Sequence, residues 1–233
     1  MSGLPQAGKP AHSPPDARHQ SITVNHRLTV FIEQPPEFVR KLYPSAVWRM
    51  DPDERAVYLT FDDGPIPEVT PWVLDLLDKY DIKATFFMVG DNIRKHPDEF
   101  QMVVERGHRI GNHTFNHLRG FEYNFKDYLA NAEKANEVMK TDLFRPPHGH
   151  MGWTQYMILK RRYKIIMWDL VTRDYSKKLR GPQVLANVMR YARNGSIITF
   201  HDSLKSWNNG NLQYALPRAI EFLKEEGYEF RLL

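Results

Sequence analysis

The sequence contains no cysteine among its 233 residues. Disulfide bonds, thiolate catalysis and cysteine-ligated zinc sites are therefore excluded. There is also no apolar run long enough to cross a bilayer, and no N-terminal basic region followed by an apolar one. We therefore expect no membrane span and, for the sequence as written, a cytoplasmic location. Export by a leader peptide that is missing from this sequence is the alternative.

An excess of charge of one sign is also lacking. The chain has 32 basic and 28 acidic residues, for a net charge of +4. Its basic clusters, such as 160–162, are typical of a solvated surface, and no glycine-rich phosphate loop occurs. Nucleic acid is therefore not an expected partner, and the sequence leaves the oligomeric state open.

Three segments differ in composition. Residues 1–26 are rich in Pro, Gly, Ser and Ala, which predicts a disordered extension, and residues 27–54 form a lead-in. In residues 55–233, about seven apolar strands alternate with amphipathic helices, which is typical of a parallel sheet. An open doubly wound sheet and a barrel both fit this pattern. In either fold, chemistry is expected at the carboxyl ends of the strands.

Polar side chains follow the ends of several predicted strands. In chain order these residues are Asp62 and Asp63, His113 and His117, Arg145, Asp169 and Asp174, and His201 and Asp202. Because the carboxyl ends of parallel strands meet at one edge of the sheet, these side chains are predicted to gather there.

His113 and His117 are four residues apart, which on a helical turn would place both rings on one face. Two surface histidines are the alternative. A carboxylate nearby would complete a metal set of two imidazoles and one carboxylate. Asp62 and Asp63 offer it, because Gly64 and the following proline end the strand and let both side chains turn toward one mouth. A plain Asp-Gly-Pro turn is the alternative for this pair.

The alternation of strand "SIITFH" places Thr199 and His201 on one face and Asp202 on the other. His201 is therefore expected to face the mouth, and Asp202 to cap the following turn. A half-buried structural histidine is the alternative for His201.

These motifs together resemble the polysaccharide deacetylases of carbohydrate esterase family 4, whose shared unit is the NodB homology domain. The resemblance runs from about Val57 to Leu233 and rests on "TFDDGP", "HTFNH", "RPPHG" and "ITFHD". The first two motifs, in this order and spacing, are specific together. The resemblance implies a single α/β domain built as a distorted (β/α)7 barrel, with residues 55–233 as the catalytic domain.

The resemblance further implies a hydrolase that removes acetyl groups from N-acetylglucosamine-containing glycans or oligosaccharides, with metal-bound water attacking the acetyl carbonyl. It implies Asp62 as general base, His201 as general acid, and Arg145 as the residue that orients and ionises the base. The implied ligands of a divalent metal are Asp63, His113 and His117. Zn²⁺ is favoured, with Co²⁺ or Ni²⁺ as alternatives.

The chain departs from the family pattern on one side of the site. The fourth motif, usually Asp-x-x-Asp-Trp, reads "VTRDY", with Val171 in place of an aspartate that would tune His201. Without that aspartate, either His201 has a lower pKa or Asp174 or Asp169 tunes the acid instead. The predicted substrate-binding residues are His148 in place of an aromatic residue, Tyr175 in place of tryptophan, Thr199 in place of leucine, and Trp207 as a sugar-stacking ring. Hydrolysis of another amide or an O-acetyl ester, or carbohydrate binding without turnover, are the alternative functions.

Overall fold

The computed structural model of the chain describes residues 33–233. The predicted extension, residues 1–26, and the start of the lead-in lie outside the described residues. Eight parallel strands form one sheet in the order β5-β4-β3-β2-β1-β7-β6, with β8 also paired to β1. The strands are β1 (Ala56–Asp62), β2 (Thr85–Met88), β3 (Arg109–Asn112), β4 (Leu143–Phe144), β5 (Lys164–Ile165), β6 (Leu170–Val171), β7 (Ser196–His201) and β8 (Glu229–Phe230).

Helices connect these strands along the chain, as the alternating sequence pattern predicts. They are α1 (Glu37–Arg40), α2 (Thr70–Lys79), α3 (Gly90–Lys95), α4 (Pro97–Glu105), α5 (Phe125–Met139), α6 (Trp153–Leu159), α7 (Gly181–Tyr191), α8 (Leu204–Asn208) and α9 (Asn211–Glu225). Short 3₁₀ segments occupy Gly120–Glu122 and Pro147–Gly149. Within residues 33–233, no helix is both long and apolar enough to cross a bilayer.

Strand β1 lies inside the sheet, between β2 and β7, and all seven of its residues are buried. A parallel strand that is covered on both faces needs such a continuous apolar run. Its pairing with β7 extends from Val57 opposite Ser196 to Asp62 opposite His201. The register therefore brings the predicted base and the predicted acid to the same edge of the sheet.

The sheet curls into a distorted barrel, which confirms the predicted fold class. Between β5 and β6, the two ends of the sheet, no strand ladder forms within the described part of the chain. The lead-in fills this gap. Val47 donates to the carbonyl of Ile165 at 2.8 Å and accepts from the N–H of Met167 at 2.8 Å, while Met50 donates to Gly195 at 2.8 Å. The lead-in thus supplies backbone hydrogen bonds that a closed ladder would otherwise provide.

A buried ionic cluster fastens the lead-in to the sheet. The carboxylate of Asp169, which is completely buried, accepts hydrogen bonds from Arg40 of α1 at 2.7 Å, from Arg193 at 2.6 and 2.9 Å, and from Ser196 at 2.8 Å. Burial raises the pKa of Asp169, but these donors outweigh it and hold the pKa below its usual range. Asp169 is therefore an ionised anchor for α1.

The Asp169 anchor predicts a large stability effect. Asp169→Asn keeps the shape of the side chain but removes the charge that two arginines share, so the free energy of unfolding should fall by about 3 kcal/mol. Because the folded-state pKa is lowered, this contribution is present above the unfolded pKa of about 3.9 and is lost as the pH falls below it. Guanidinium denaturation at several pH values measures both effects.

Asp75→Asn is the matched control, since Asp75 also pairs with an arginine but its side chain is 69% exposed. That variant should change the free energy of unfolding by no more than about 0.5 kcal/mol. Equal losses in the two variants would contradict the assignment of Asp169 as the anchor.

Candidate active site

The two neighbouring aspartates reach the same mouth because the backbone turns between them. Asp62 is the last residue of β1, and Asp63 has a left-handed backbone with φ of 84°. The N–H of Asp63 donates to Phe87 at 3.3 Å, and its carbonyl accepts from the side-chain amide of Asn92 at 2.7 Å. In a regular strand the two carboxylates would point to opposite faces. The positive φ at Asp63 removes that alternation.

Only glycine fits at position 64 of "TFDDGP", because the buried side chain of Asp202 occupies the space that a Cβ would need. A Cβ at Gly64 would lie 2.0 Å from Oδ2 of Asp202. Asp202 accepts from the N–H of Gly64 at 3.1 Å and from the hydroxyl of Thr70 at 2.7 Å. The prediction that Asp202 caps the following turn is therefore wrong, because its side chain instead fastens the loop after β1. Burial raises the pKa of Asp202 to about 8.

His113 and His117 come together on a loop, so the prediction of a helical turn is wrong while the predicted grouping is correct. They follow β3, and Thr114 and His117 adopt left-handed φ values of 64° and 55°. The ring centroids of the two histidines are 5.1 Å apart. The N–H of Thr114 donates to the side chain of Asn112 at 2.8 Å, which stabilises this turn. The left-handed turns at Thr114 and His117 thus bring the two imidazole rings together, which the expected helical turn would also have done.

Asp63, His113 and His117 form a set that fits a metal ion. Oδ1 of Asp63 lies 3.0 Å from Nε2 of His117 and 3.7 Å from Nε2 of His113. In a tetrahedral zinc site with bonds of about 2.0–2.2 Å, ligand atoms are separated by about 3.3 Å, which lies between these two distances. All three ligand atoms lie within 4.8 Å of one another.

The protonation of the triad also suits a cation. The Nδ1 atom of His113 is 2.8 Å from the carbonyl oxygen of Arg145, so Nδ1 carries the proton and Nε2 is free to coordinate. Burial lowers the pKa of His113 to about 4, which keeps the ring neutral at pH 7. Burial raises the pKa of Asp63, but the hydrogen bond from His117 and the nearby imidazoles outweigh it and the net shift is downward. The triad therefore presents the neutral ring of His113 beside the carboxylate of Asp63.

The guanidinium of Arg145 forms an ion pair with the carboxylate of Asp62. This completely buried guanidinium donates to Oδ1 of Asp62 at 2.7 Å, to the hydroxyl of Thr60 at 2.8 Å and to the carbonyl of Met167 at 2.8 Å. It also lies 4.1 Å from the ring centroid of Phe87. Burial lowers the pKa of Arg145, and the charge of Asp62 opposes that shift. The arrangement matches the predicted pairing of Arg145 with the base.

Both oxygens of the buried Asp174 carboxylate contact His201. Oδ1 lies 2.8 Å from Nδ1 of His201, and Oδ2 accepts the backbone N–H of His201 at 2.8 Å. Burial lowers the pKa of His201, but Asp174 outweighs it and raises the pKa to about 9. Of the two predicted tuning residues, Asp174 makes the contact. Asp169 is wrong for that role, because Arg40, Arg193 and Ser196 hold its carboxylate at the other end of β6.

Asp62, Asp63, His113, His117 and His201 line one cavity of about 400 Å³. Of the predicted substrate-binding residues, His148, Tyr175 and Thr199 line it. The Tyr175 ring meets His201 edge-on at 4.8 Å. Trp207 is wrong for this set, because it packs edge-on against Trp72 at 5.4 Å on the hydrophobic core. His148 has a left-handed φ of 57°, and burial lowers its pKa to about 4.

The part of the cavity lining that lies outside the motifs was not predicted from the sequence. The missed residues come from the lead-in and from the segment after β5, and they are Pro35, Val39, Leu42, Tyr43, Trp48, Met167 and Trp168. The aromatic residues in "YPSAVW" indicate burial, but no local periodicity tells which surface they cover.

Comparison with known proteins places the chain among glycan-modifying enzymes. A family model described as polysaccharide deacetylase matches residues 49–161. A curated peptidoglycan-N-acetylglucosamine deacetylase from Bacillus cereus is 33% identical over 192 residues, which cover 78% of this chain and 88% of that protein. Other curated relatives are longer, and the chain spans 65%, 38% and 37% of three of them.

Solved structures give the same grouping. The Bc1960 peptidoglycan N-acetylglucosamine deacetylase, crystallised with 4-naphthalen-1-yl-N-oxidanyl-benzamide, superposes with a TM-score of 0.75 and 29% identity over 85% of this chain and 94% of that chain. BA3943 from Bacillus anthracis, a CE4 family pseudoenzyme, gives 0.70 and 27% over 80% and 66%. The fold therefore occurs in an enzyme and in a pseudoenzyme, and the site residues must decide between turnover and its absence.

The His201–Asp174 pair predicts a specific titration. Asp174→Asn removes the partner that most strongly raises the pKa of His201 and leaves only the weaker influence of Asp62 and Asp63 against burial, so the pKa should fall well below about 9. NMR titration of the imidazole Cε1 proton measures this value. Asp91→Asn, at an exposed pair with Arg94 and Lys95, is the control and should leave it near 9. A pKa that stays near 9 without Asp174 would refute the tuning role.

Proposed function

The chain belongs to the polysaccharide deacetylase family, and we propose that it hydrolyses the acetamido group of N-acetylglucosamine units in a glycan or oligosaccharide with the help of a divalent metal. The observation that carries this proposal is the convergence of three separate devices on one cavity. They are the Asp63–His113–His117 triad, the carboxylate of Asp62 on Arg145, and the imidazole of His201 on Asp174. The names of the relatives support the substrate class.

The triad would hold the metal, and two imidazoles with one carboxylate favour Zn²⁺. When bound, a divalent ion supplies Lewis-acid polarisation of the acetyl carbonyl and a lowered pKa of water. The hydrogen bond from Nδ1 of His113 to the Arg145 carbonyl fixes the ring with Nε2 toward the ion.

Asp62 would act as the general base. One of its oxygens, Oδ1, is occupied by Arg145. The other, Oδ2, lies 4.0 Å from Nε2 of His113, so it is directed to the triad that would hold the metal. A general base must have a free carboxylate oxygen to accept a proton, and the arginine leaves Oδ2 available for this.

His201 would act as the general acid. With its pKa raised to about 9, the ring is protonated at neutral pH and can give a proton to the leaving nitrogen. The backbone N–H of His148 lies in the 3₁₀ turn that borders the cavity and would stabilise negative charge on the carbonyl oxygen. Water adds its oxygen to the acetyl carbon, the C–N bond breaks, and the products are acetate and the free amine.

Carbohydrate binding without turnover is less consistent with the site. A pseudoenzyme shares the fold, so the fold alone does not decide. Here the base, the acid and the three candidate ligands are all present, and each is held by a buried partner or by another member of the site. Such an arrangement of buried, paired charges is typical of a catalytic centre.

A substrate panel tests the proposed function. Acetate release is measured from chitooligosaccharides, peptidoglycan and acetylated xylan, before and after chelation and after Zn²⁺ or Co²⁺ is restored. We expect release from the two N-acetylglucosamine-containing substrates, loss after chelation and recovery with metal. Tight metal binding without release from any of the three would contradict the proposed hydrolysis.

Substitution of the two neighbouring aspartates separates their functions. Asp62→Asn should retain the metal and lower kcat by about 10²–10⁴-fold, because the proton acceptor is removed. Asp63→Asn should lose the metal, because a charged ligand is replaced by a neutral one. Metal content by mass spectrometry and kcat are measured for both, with circular dichroism to verify folding. The reverse pattern would exchange the two assignments.

A further inference from the structure

The cavity has two chemically different sides. One side carries the reacting groups together with His148, Tyr175 and Lys205. The other side, called the apolar chamber below, is formed by Val39, Leu42, Trp48, Met167, Trp168 and Val171. Half of these residues come from the lead-in, which fills the gap between β5 and β6.

The apolar chamber offers no accessible hydrogen-bonding side chain among these residues. The indole nitrogens of Trp48 and Trp168 are inaccessible to solvent, so these rings present carbon to the cavity. The hydroxyl of Tyr43, which borders the chamber, is committed to the carbonyl of Met151. A sugar ring placed here would leave its hydroxyls without partners, at a cost that an alkyl group does not have.

Val171, one of the chamber residues, lies close to the strand that carries the proposed acid. Val171 of β6 lies opposite Thr199 of β7, and Thr199 precedes the acid His201 by two residues on the same face. The hydroxyl of Thr199 is engaged by Thr60 at 3.1 Å. A carbonyl carbon held between Asp62 and His201 would therefore be close to Val171, at what we take as the entrance of the chamber.

The chamber is also held in a fixed shape. Arg40 of α1 pairs with the buried Asp169 at 2.7 Å, and Glu33 pairs with Arg173 at 2.6 Å. The edge of Trp168 packs against Gly149, where a Cβ would lie 2.6 Å from the ring. A preformed apolar site binds an apolar group without the entropic cost of ordering its wall.

We propose that the enzyme accepts N-acyl groups longer than acetyl, with the acyl chain in the apolar chamber and the sugar on the polar side. The proposal rests on the proposed function and refines its substrate class. The reaction is the same: water adds to the acyl carbon, the C–N bond breaks, the nitrogen takes a proton, and a short-chain carboxylic acid leaves. The acyl chain is the group assigned to the chamber because it is attached to the carbonyl carbon at its entrance.

A series of chitooligosaccharides that carry N-acetyl, N-butyryl or N-hexanoyl groups tests the proposal. Each buried methylene should favour binding by up to about fourfold, so kcat/KM should hold or rise along the series. A site limited to acetyl would instead lose roughly tenfold or more with each added methylene. Such a steep fall would overturn the proposal.

Two variants fill the chamber from the lead-in. Val39→Phe adds volume at a half-buried position, and Leu42→Trp does so at a residue that is 57% exposed and therefore tolerant of substitution. Both should lower kcat/KM for the N-hexanoyl substrate by tenfold or more and leave the N-acetyl substrate within about twofold. Lys41→Phe, at an exposed position immediately after α1, is the control and should change neither substrate.

A binding measurement keeps the proposal separate from turnover. Calorimetric titration of the metal-free protein with the N-hexanoyl disaccharide should show binding that Val39→Phe and Leu42→Trp weaken and Lys41→Phe does not. If no acyl group is released from any substrate, the proposed function fails, and this titration still decides on the chamber. Release of acetyl alone, with no effect of the filling variants on binding, overturns the chamber proposal and leaves the deacetylase intact.

Discussion

The buried guanidinium of Arg145 is the interaction on which the site depends. A charged side chain with no exposed surface is stable only if it is paired and hydrogen-bonded. Arg145 meets that requirement through Asp62, Thr60 and the carbonyl of Met167, and its own carbonyl orients His113. One residue therefore connects the proposed base, a proposed metal ligand and the segment after β5. Each of these partners would be displaced if the guanidinium moved.

Much of the site could be predicted because a parallel sheet collects the carboxyl ends of its strands at one edge. Asp62 and His201 become neighbours through the β1–β7 register, and both positions are visible in the sequence as the ends of apolar runs. The backbone turns at Asp63, Thr114 and His117 were not predictable in the same way. A left-handed residue other than glycine is imposed by its surroundings, such as the hydrogen bond from Asn92 to the Asp63 carbonyl.

The choice between Asp169 and Asp174 shows the limit of strand boundaries that are inferred from hydrophobicity. The run "YKIIMWDL" reads as one strand, with both aspartates near its end. The structure divides it into β5 and β6, and Asp169 precedes β6 while Asp174 follows it. The two carboxylates therefore lie at opposite ends of a short strand. One faces Arg40 and Arg193 below the lead-in, and the other faces His201 at the mouth.

The division of the barrel into a paired and an unpaired side has a consequence for how its functions are distributed. The proposed catalytic groups extend from β1, β3, β4 and β7, which backbone ladders hold in register. Half of the residues of the apolar chamber instead come from the lead-in, which lies where no ladder forms among the described residues and is held by a few backbone hydrogen bonds, by side-chain packing and by two ion pairs. The hydrogen bonds of a strand ladder join backbone groups and form with almost any side chains, whereas the shape of a packed wall depends on which side chains are present. Changes in the lead-in can therefore alter which acyl group fits without moving the base, the acid or the metal ligands.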